Sequence, residues 1–280
     1  MPRRGRLEME AMETDYPFVG SDFTDEDFAA IGTILRAAGG VAVDHYNAAC
    51  IKRRIALRIR DLMLPGVQPY LALLRADCSE VLHLSALLSL HVSMFYRDPL
   101  TFAALKKIIF DRAPALPQRW WSAGCAGGEE PYTLALLAAK LPKLREKVAI
   151  VATDVSDKIL EKARAGCFNS THLSRVPAAE QARYFTAVGR DYRIGEKFRG
   201  MVQFFQHDLL GNAPYPAADL ILCRYVLMYF NAADQEVVLT RFAAALPSGG
   251  MLVLGRTETL RDSAGLFVPI NAQERIYQRI

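Results

Sequence analysis

The chain has 280 residues, of which 51% are hydrophobic and 23% are charged. This globular composition excludes an intrinsically disordered chain, a collagen and a coiled-coil rod. The formal net charge of +4 is far below the clustered basic excess of a nucleic-acid-binding protein. No apolar run reaches the roughly 20 residues of a membrane helix, and the N-terminus lacks the apolar core of a secretory signal. We therefore expect no nucleic-acid partner and no membrane insertion.

The five cysteines are far apart and show no spacing typical of zinc ligands. Lone buried thiols in a reducing compartment account for them best. We therefore expect a cytoplasmic protein without a metal site.

Residues 1–90 show no pattern typical of a sheet: the first fifteen or so are polar and are expected to be frayed, and from Thr24 the pattern is helical. Thr24 followed by Asp27 predicts an N-cap with an acidic first turn, and the glycines at 39–40 predict the end of that helix. We interpret this part as a small all-helical domain. The further predicted helices are Asn47–Leu64, Pro69–Leu74 and Ser79–Ser89.

From Pro117 onward, short apolar runs alternate with helical stretches. This alternation predicts an α/β fold with a parallel, doubly wound sheet, which we assign to residues 91–280. The last run, Glu274–Ile280, predicts a closing antiparallel strand. The predicted parallel strands are Arg119–Ala123, Val148–Thr153, Val202–Gln206, Leu220–Cys223 and Met251–Gly255, and the predicted helices are Tyr132–Leu141, Ser156–Ala165 and Ala233–Leu246.

The alternation breaks between residues 166 and 200. Aromatic residues are spread there among polar ones, over a stretch too long for a simple connection in a compact domain. We expect residues 166–200 to form a small inserted β-subdomain, such as a β-meander.

A glycine-rich turn follows the first predicted strand. Its glycines at 124, 127 and 128 do not fit the dinucleotide-binding motif, and the turn lacks the lysine of a phosphate-binding loop. The order of strand, glycine turn and helix favours a ligand at the carboxyl end of the strand. Because Glu129 and Glu130 adjoin the turn, a cationic ligand without phosphate suits it. The alternative is a tight turn with solvated glutamates.

Two further segments lie at predicted strand ends. Asp154 ends the second strand, where an acid in nucleoside-binding sheets accepts both ribose hydroxyls. The alternative is that Asp154 caps the next helix, a role that Ser156 could also take. Residues 219–230 lead from a strand into an aromatic loop, where a substrate would meet a cofactor, although such aromatic residues also occur as core packing.

Five segments carry motifs that can be compared with known families. They are Ser93–Pro99 (similar to Asn-x-Thr-x-Phe-Phe-Arg, with His91 at the asparagine), Gly124–Tyr132 (Gly-Cys-x-x-Gly-Glu-Glu-Pro-Tyr), Ala152–Asp154 (Ala-Thr-Asp), Cys223–Phe230 (Cys-Arg-Asn-Val-Leu-Ile-Tyr-Phe) and Gly255–Glu258 (Gly-His-Ser-Glu). Together they resemble the CheR family of chemotaxis-receptor methyltransferases, and the resemblance extends from Phe23 to Ile280.

The resemblance implies methyl transfer from S-adenosylmethionine (SAM) to receptor glutamates, with S-adenosylhomocysteine (SAH) as the product. It also implies a helical N-terminal domain, a Rossmann-like methyltransferase domain and a small inserted β-subdomain. The implied partners are the cytoplasmic methylation helices of chemoreceptors and, in some members, a pentapeptide at the receptor C-terminus.

Methylation of an already ionised carboxylate requires positioning rather than a general base. We expect Arg97 to orient the carboxylate by charge-assisted hydrogen bonds, the alternative being a salt bridge with Asp98, and Tyr229 to line the methyl-transfer region. Asp154 is expected to hold the ribose. The other expected cofactor contacts are Gly124 and Glu129 on the methionine portion, Ser93 at its end, Asp208 and Leu209 at the adenine, together with His91, Arg97, Arg224 and Tyr225.

Four positions depart from the family pattern. Ser93 replaces a threonine and keeps the hydroxyl, and Asp208 replaces an asparagine, keeping an acceptor while adding a negative charge beside a cationic ligand. His91 and Tyr225, which replace asparagines, are larger changes. Two alternatives therefore stand beside a receptor methyltransferase: a cofactor-binding regulatory module with lost or altered activity, and a methyltransferase for another substrate.

One predicted helix, spanning residues 51–64, is strongly basic. Arg53, Arg54 and Arg60 lie mostly off its apolar face. Opposite charge would steer a glutamate-rich receptor helix to this surface, whereas the alternative is a solvated helical face. A nucleic-acid interpretation is weaker, because acidic residues flank the patch and no aromatic platform accompanies it.

Overall fold

The computed structural model describes residues 23–38, 43, 48–88, 93–112, 117–144, 147–260 and 265–280. They divide into two compact units, one made of the residues up to Leu88 and the other of the residues from Ser93 onward. Within these ranges, no helix is both long and apolar enough to cross a bilayer.

The first unit consists of helices, which are α1 (Asp25–Ala37), α2 (Ala48–Asp61), α3 (Val67–Ala76) and α4 (Cys78–Leu88). The predicted cap of α1 is confirmed. The Thr24 side chain accepts the Asp27 N–H bond and the Asp27 side chain accepts the Thr24 N–H bond, which is a reciprocal capping box. Apolar side chains at helical spacing form the core, including Ile31, Leu35, Ile51, Ile55, Ile59, Tyr70, Leu71 and Leu84.

An ion pair with little solvent exposure crosses this helical unit. Arg58 Nε and Nη2 donate to the two carboxylate oxygens of Glu80 at 2.9 and 2.6 Å, and the Tyr70 hydroxyl donates to Glu80 Oε1 at 2.8 Å. Glu80 is only 6% exposed, so its charge depends on these partners. The hydrogen bonds from Arg58 hold the pKa of Glu80 below its usual value.

The second unit is an α/β domain. Its elements are α5 (Pro99–Arg112), β1 (Gln118–Ala123), α6 (Glu129–Ala139), β2 (Val148–Asp154), α7 (Asp157–Ala165), β3 (Cys167–Phe168), α8 (Ala178–Tyr184), β4 (Phe185–Val188), β5 (Asp191–Ile194), α9 (Glu196–Arg199), β6 (Val202–Gln206), β7 (Leu220–Cys223), α10 (Ala232–Ala245), β8 (Met251–Leu254), β9 (Phe267–Asn271) and β10 (Ile276–Arg279).

Seven of these strands form one sheet in the order β6-β2-β1-β7-β8-β10-β9. The five strands from β6 to β8 are parallel, and β10 is antiparallel to both of its neighbours. The predicted doubly wound sheet and its closing strand are therefore confirmed. The sequence prediction missed α5 and also β9, which contains Pro269. Proline is tolerated in β9 because that strand lies at the edge of the sheet.

The inserted segment forms a separate three-stranded antiparallel sheet in the order β3-β5-β4. The expectation of a β-subdomain is confirmed, but the β-meander is wrong. Helix α8 separates β3 from β4, and β3 pairs with β5.

Both faces of the large sheet are covered. Successive strand residues point to opposite faces, and β1 illustrates this because Trp120 and Trp121 are both fully buried in different cores. Trp120 packs in the core that includes residues of α5, α6 and the inserted segment. Trp121 packs against Phe242 of α10. Burial of each such side chain contributes about 1.5–3 kcal/mol.

The cysteines only partly follow expectation. Cys125 and Cys223 are buried, but Cys78 is exposed at the first residue of α4. Cys167 is half-buried, so the expectation of buried thiols is wrong for Cys78 and only partly met by Cys167.

We expect Arg58→Ala to lower the free energy of unfolding by about 2–3 kcal/mol, because the buried Glu80 loses hydrogen bonds to a charged partner. The pKa of Glu80 is depressed in the folded protein. The stabilisation is therefore complete above the ordinary glutamate pKa and is lost as the pH falls through the lower, folded value. Urea unfolding at neutral and acidic pH measures both effects.

The control for this change is Arg75→Ala, which truncates an exposed arginine of α3. It should alter the unfolding free energy by less than about 0.5 kcal/mol. Equal losses for the two variants would contradict the role of the buried pair.

Candidate active site

Several segments meet at the carboxyl edge of the large sheet. β1 lies between β2 and β7, and all three run parallel. From β1 the chain continues outward through β2 to β6 and then crosses to β7, on the other side of β1, so the strand order reverses between β1 and β7. Gly124 after β1, Asp154 at the end of β2 and Arg224 after β7 therefore lie at the topological switch point, where ligands bind in sheets of this kind.

The turn after β1 requires glycine at position 124. Its φ is +74°, and a Cβ atom there would lie 2.4 Å from Val226 Cγ2. The backbone N–H groups of Gly124 and Cys125 donate to the Thr153 carbonyl at 2.8 and 2.9 Å. The turn is thereby fastened to β2 on one side and packed against the loop after β7 on the other.

Asp154 links the end of β2 to the glycine-rich turn. It is 6% exposed, and Oδ2 accepts the Ala126 N–H at 3.0 Å while Oδ1 accepts the Ser156 N–H at 3.0 Å. Ser156 occupies the N-cap position of α7, but its side chain makes no capping bond. These bonds hold the Asp154 carboxylate in a fixed orientation at the strand end.

The glycine-rich turn bears a buried carboxylate, that of Glu129, and a cysteine, Cys125, that is not a reactive thiolate. Glu129 is 3% exposed, its Oε1 lies 3.2 Å from His172 Nδ1, and its side chain folds against Gly127. Burial, with a further contribution from Asp154, raises the pKa of the Cys125 thiol. The sulfur therefore stays protonated, and nucleophilic catalysis by this cysteine is not favoured.

Arg224 lies beneath the site. Its side chain is 1% exposed. Nη2 donates to Asp98 Oδ2 at 2.6 Å and to the Arg97 carbonyl at 2.7 Å, and Nη1 donates to Glu130 Oε2 at 3.1 Å. We therefore assign Arg224 a structural role, in place of the cofactor contact expected from the sequence.

Arg97 and Tyr225 form a stacked pair. The guanidinium carbon of Arg97 lies 3.6 Å from the centroid of the Tyr225 ring. The Tyr225 hydroxyl donates to Asp98 Oδ2 at 2.5 Å, the same oxygen that receives Arg224. Tyr225 thus contacts the residue expected to orient the substrate.

Glu258, which the sequence analysis did not select, holds the loop after β7. It is 4% exposed, and its carboxylate accepts the backbone N–H groups of Gly255, Tyr225 and Met228 at 2.6, 2.8 and 3.1 Å. Burial raises its pKa, against the effect of these donors. The only sequence signal was the motif Gly255–Glu258, since two of the three donors lie about thirty residues away.

Other expected residues take varied positions. Ser93 is half-buried in the segment before Arg97, and Tyr229 is half-buried in a short 3-10 turn. Tyr229 therefore lies in the same loop as Tyr225, on the chain that follows β7. His91 lies outside the described residues.

The residues expected at the adenine follow β6. Asp208 is exposed and accepts the Leu210 N–H at 2.9 Å. Leu209 is buried in the core, and its carbonyl accepts the Tyr215 hydroxyl at 2.6 Å. The preceding residue, His207, donates its N–H to the Asp154 carbonyl, so this segment adjoins the end of β2.

In the helical unit, the three basic residues of α2 do not share one environment. Arg53 and Arg60 are exposed. Arg54 is half-buried and donates to the carbonyls of Leu87 and Leu88 at 3.1 and 3.4 Å. These bonds provide partners for the last backbone carbonyls of α4, which have none within the helix. We therefore leave Arg54 out of the candidate docking surface.

The fold and the glycine turn beside a strand-end acid are typical of a domain that binds a nucleoside cofactor, and comparison with known proteins identifies the family. Residues 91–276 match the family described as CheR methyltransferase, SAM binding domain, and residues 26–89 match its all-alpha domain. The chain therefore belongs to the CheR methyltransferase family. It comprises an all-α domain followed by a Rossmann-like, SAM-binding methyltransferase domain.

Three relatives illustrate the similarity. An uncharacterised 104.1 kDa protein of Rhodobacter capsulatus is 35% identical over 96% of this chain, which spans 30% of that protein. A chemotaxis protein methyltransferase of Listeria monocytogenes is 30% identical over 86% of this chain and 92% of its own length. A chemotaxis protein methyltransferase 2 of Pseudomonas aeruginosa is 30% identical over 87% of this chain and 90% of its own length.

The residues of this chain fit SAM. The buried carboxylates of Glu129 and Asp154 adjoin the turn, and such groups suit a ligand that carries sulfonium and ammonium charges. Residues 124–128 contain no lysine or arginine that would favour a phosphate.

We expect Gly124→Ala to lower the free energy of unfolding by about 2–4 kcal/mol. The alanine must adopt a left-handed backbone conformation, and its methyl group overlaps Val226. Gly189→Ala is the matched control, since its φ is +63° and nothing lies within 4 Å of the added Cβ. That variant should lose only about 1–2 kcal/mol. Urea unfolding checks both, and equal losses would contradict the close packing of the turn against the loop after β7.

Proposed function

We propose that this protein transfers the methyl group of SAM to glutamate side chains in the cytoplasmic methylation helices of chemoreceptors. The observation that carries the proposal is that Arg97 stacks on Tyr225, in the loop that follows β7 at the sheet edge that also bears the glycine turn and Asp154. An arginine there can bind a carboxylate next to a methyl donor. The names of the Listeria and Pseudomonas relatives support the same activity.

The chemistry makes small demands on the protein. SAM supplies a methyl group on a sulfonium, and the departing thioether needs no proton. A glutamate, with an ordinary pKa of about 4.3, is already ionised at neutral pH. The protein must therefore align the carboxylate with the methyl group and replace its hydration shell. No general base is needed, and Arg97 is the group proposed to hold the carboxylate.

We assign the cofactor contacts by their position at the sheet edge. Asp154, fixed by two backbone N–H bonds, binds the ribose hydroxyls. The turn Gly124–Glu130 holds the methionine portion, with Ser93 at its end. Asp208 and Leu209 border the adenine, because their segment adjoins the end of β2. Tyr229 lines the region of methyl transfer.

Arg97→Ala should lower kcat/KM for receptor methylation by at least about a hundredfold, because the variant loses a charge-assisted contact made in the transition state. Its affinity for SAH should change by less than about threefold, since Arg97 is assigned mainly to the substrate. Arg97→Lys keeps the charge but not the planar fork, and should recover only part of the rate. Equal losses of SAH affinity and of transfer would instead make Arg97 a structural residue.

The exposed residues Arg53 and Arg60 of α2 are proposed to steer the acidic receptor helices. Both side chains are exposed and carry the charge opposite to that of the substrate glutamates. A surface of this kind mainly affects the rate of encounter, and its effect decreases as salt screens the charges.

Arg53→Glu and Arg60→Glu should each raise the KM for receptor fragments by about threefold to tenfold at low salt, with a smaller effect at high salt. Arg75→Glu makes the same change of charge at an exposed position of α3 and should leave the KM within about twofold of the wild type. An unchanged KM in the α2 variants would contradict this docking surface.

The decisive test of the function is transfer of labelled methyl groups from SAM to receptor cytoplasmic fragments, followed by release of the label in base. Base-labile label on glutamates supports the proposal. Binding of SAH without any transfer supports a regulatory module, and transfer only to other proteins supports a different substrate. Receptor fragments with and without their C-terminal tails show whether a terminal pentapeptide tethers the enzyme.

A further inference from the structure

Tyr225 is held in an unfavourable backbone conformation. Its φ is +60°, in the left-handed region that bulky L residues rarely adopt. The Tyr225 N–H donates to buried Glu258 at 2.8 Å, and Gly255 lies so close that a Cβ on it would come within 2.9 Å of Tyr225 N. Strain of this kind persists only where the surrounding structure fixes it, and it is concentrated at functional sites.

The facing segment is strained in the same way. Tyr96 and Asp98, on either side of Arg97, have φ values of +52° and +60°. Asp98 is fixed by Arg224, with the two side chains 2.6 Å apart. Two strained segments, one from each side of the site, therefore meet where the Tyr225 ring stacks on Arg97 and its hydroxyl bonds to Asp98.

We propose that Tyr225 is a positioning residue for Arg97: its ring supports one face of the guanidinium, and its hydroxyl bond to Asp98 fixes the ring. Stacking engages the face of the guanidinium, whereas a carboxylate is bound by the N–H donors at its edge. The two interactions are therefore compatible. This inference rests on the proposed function, because it supposes that Arg97 binds the substrate carboxylate.

The charge states agree with this arrangement. Burial and the hydrogen bond to Asp98 raise the pKa of Tyr225, so its hydroxyl remains a donor at neutral pH. The charged groups that face Tyr225 are the carboxyl groups of Asp98 and Glu258 and the guanidinium cations of Arg97 and Arg224. The role assigned here differs from the direct cofactor contact expected from the sequence, and the two roles predict different losses on substitution.

The test compares Tyr225→Phe, which keeps the ring, with Tyr225→Leu, which removes it. Neither introduces glycine, so the left-handed backbone is strained in both, as in the wild type. Three quantities are measured for each protein: the kinetics of receptor methylation, the affinity for SAH by calorimetry, and the NMR shift of the Arg97 Nε–H proton. Arg97→Lys assigns that signal by its disappearance.

Tyr225→Leu should lower kcat/KM for the receptor fragment by at least about tenfold, since misplacement of a positioning group is costly. Its SAH affinity should stay within about threefold of the wild type, and the Arg97 proton should lose the shift that the ring current causes. Tyr225→Phe should retain most of the ring-current shift, because the ring is kept, and should lower kcat/KM by about threefold, because the hydroxyl bond to Asp98 that fixes the ring is lost.

An Arg97 proton without a ring-current shift in the wild type would overturn the assignment. So would a loss of SAH affinity in Tyr225→Leu as large as its loss of transfer, because Tyr225 would then contact the cofactor. A wild type that shows the shift but methylates no receptor fragment contradicts the proposed substrate, while the support of Arg97 by Tyr225 stands. The two failures are therefore distinguishable.

Discussion

The buried charge of Arg224 is the constraint on which the site depends. A guanidinium with a side-chain exposure of 1% must recover its lost hydration from charged and hydrogen-bonding partners. The partners come from two segments of the chain: Asp98 and the Arg97 carbonyl lie before α5, and Glu130 lies at the start of α6. The contacts of the two Nη atoms of Arg224 therefore bring the segment before α5, the start of α6 and the end of β7 to one place.

The site is held together by such linked contacts within the protein. Glu258 fixes the loop after β7 through three backbone donors, and Asp154 fixes the glycine turn. The inserted segment also contributes. The Phe95 N–H donates to the His172 carbonyl, and the centroids of the Phe95 and Phe168 rings are 4.9 Å apart. Preorganisation is what methyl transfer to an ionised carboxylate requires, since alignment replaces acid–base catalysis.

Sequence patterns predicted the fold well where a local period or cap determines it. The parallel strands and the Thr24 cap followed from alternation and spacing. Strand β9 was missed because it contains Pro269, and proline within a run of residues argues against a strand unless that strand lies at the edge of a sheet. In the site, motifs located the glycine turn and Asp154. They could not show that Arg224 is buried or that Tyr225 stacks on Arg97, because these contacts join residues 94 or more positions apart.

We propose that SAM lies at the carboxyl edge of β1 and β2, between the turn at Gly124 and the acid at Asp154. A crystal structure of the protein with SAH tests this position. We expect ribose hydroxyls on the Asp154 carboxylate and the amino-acid portion against the glycine turn, with Tyr225 still stacked on Arg97. A nucleoside bound elsewhere, or a crevice filled by the Tyr225 ring with no nucleoside in it, would rule out this position.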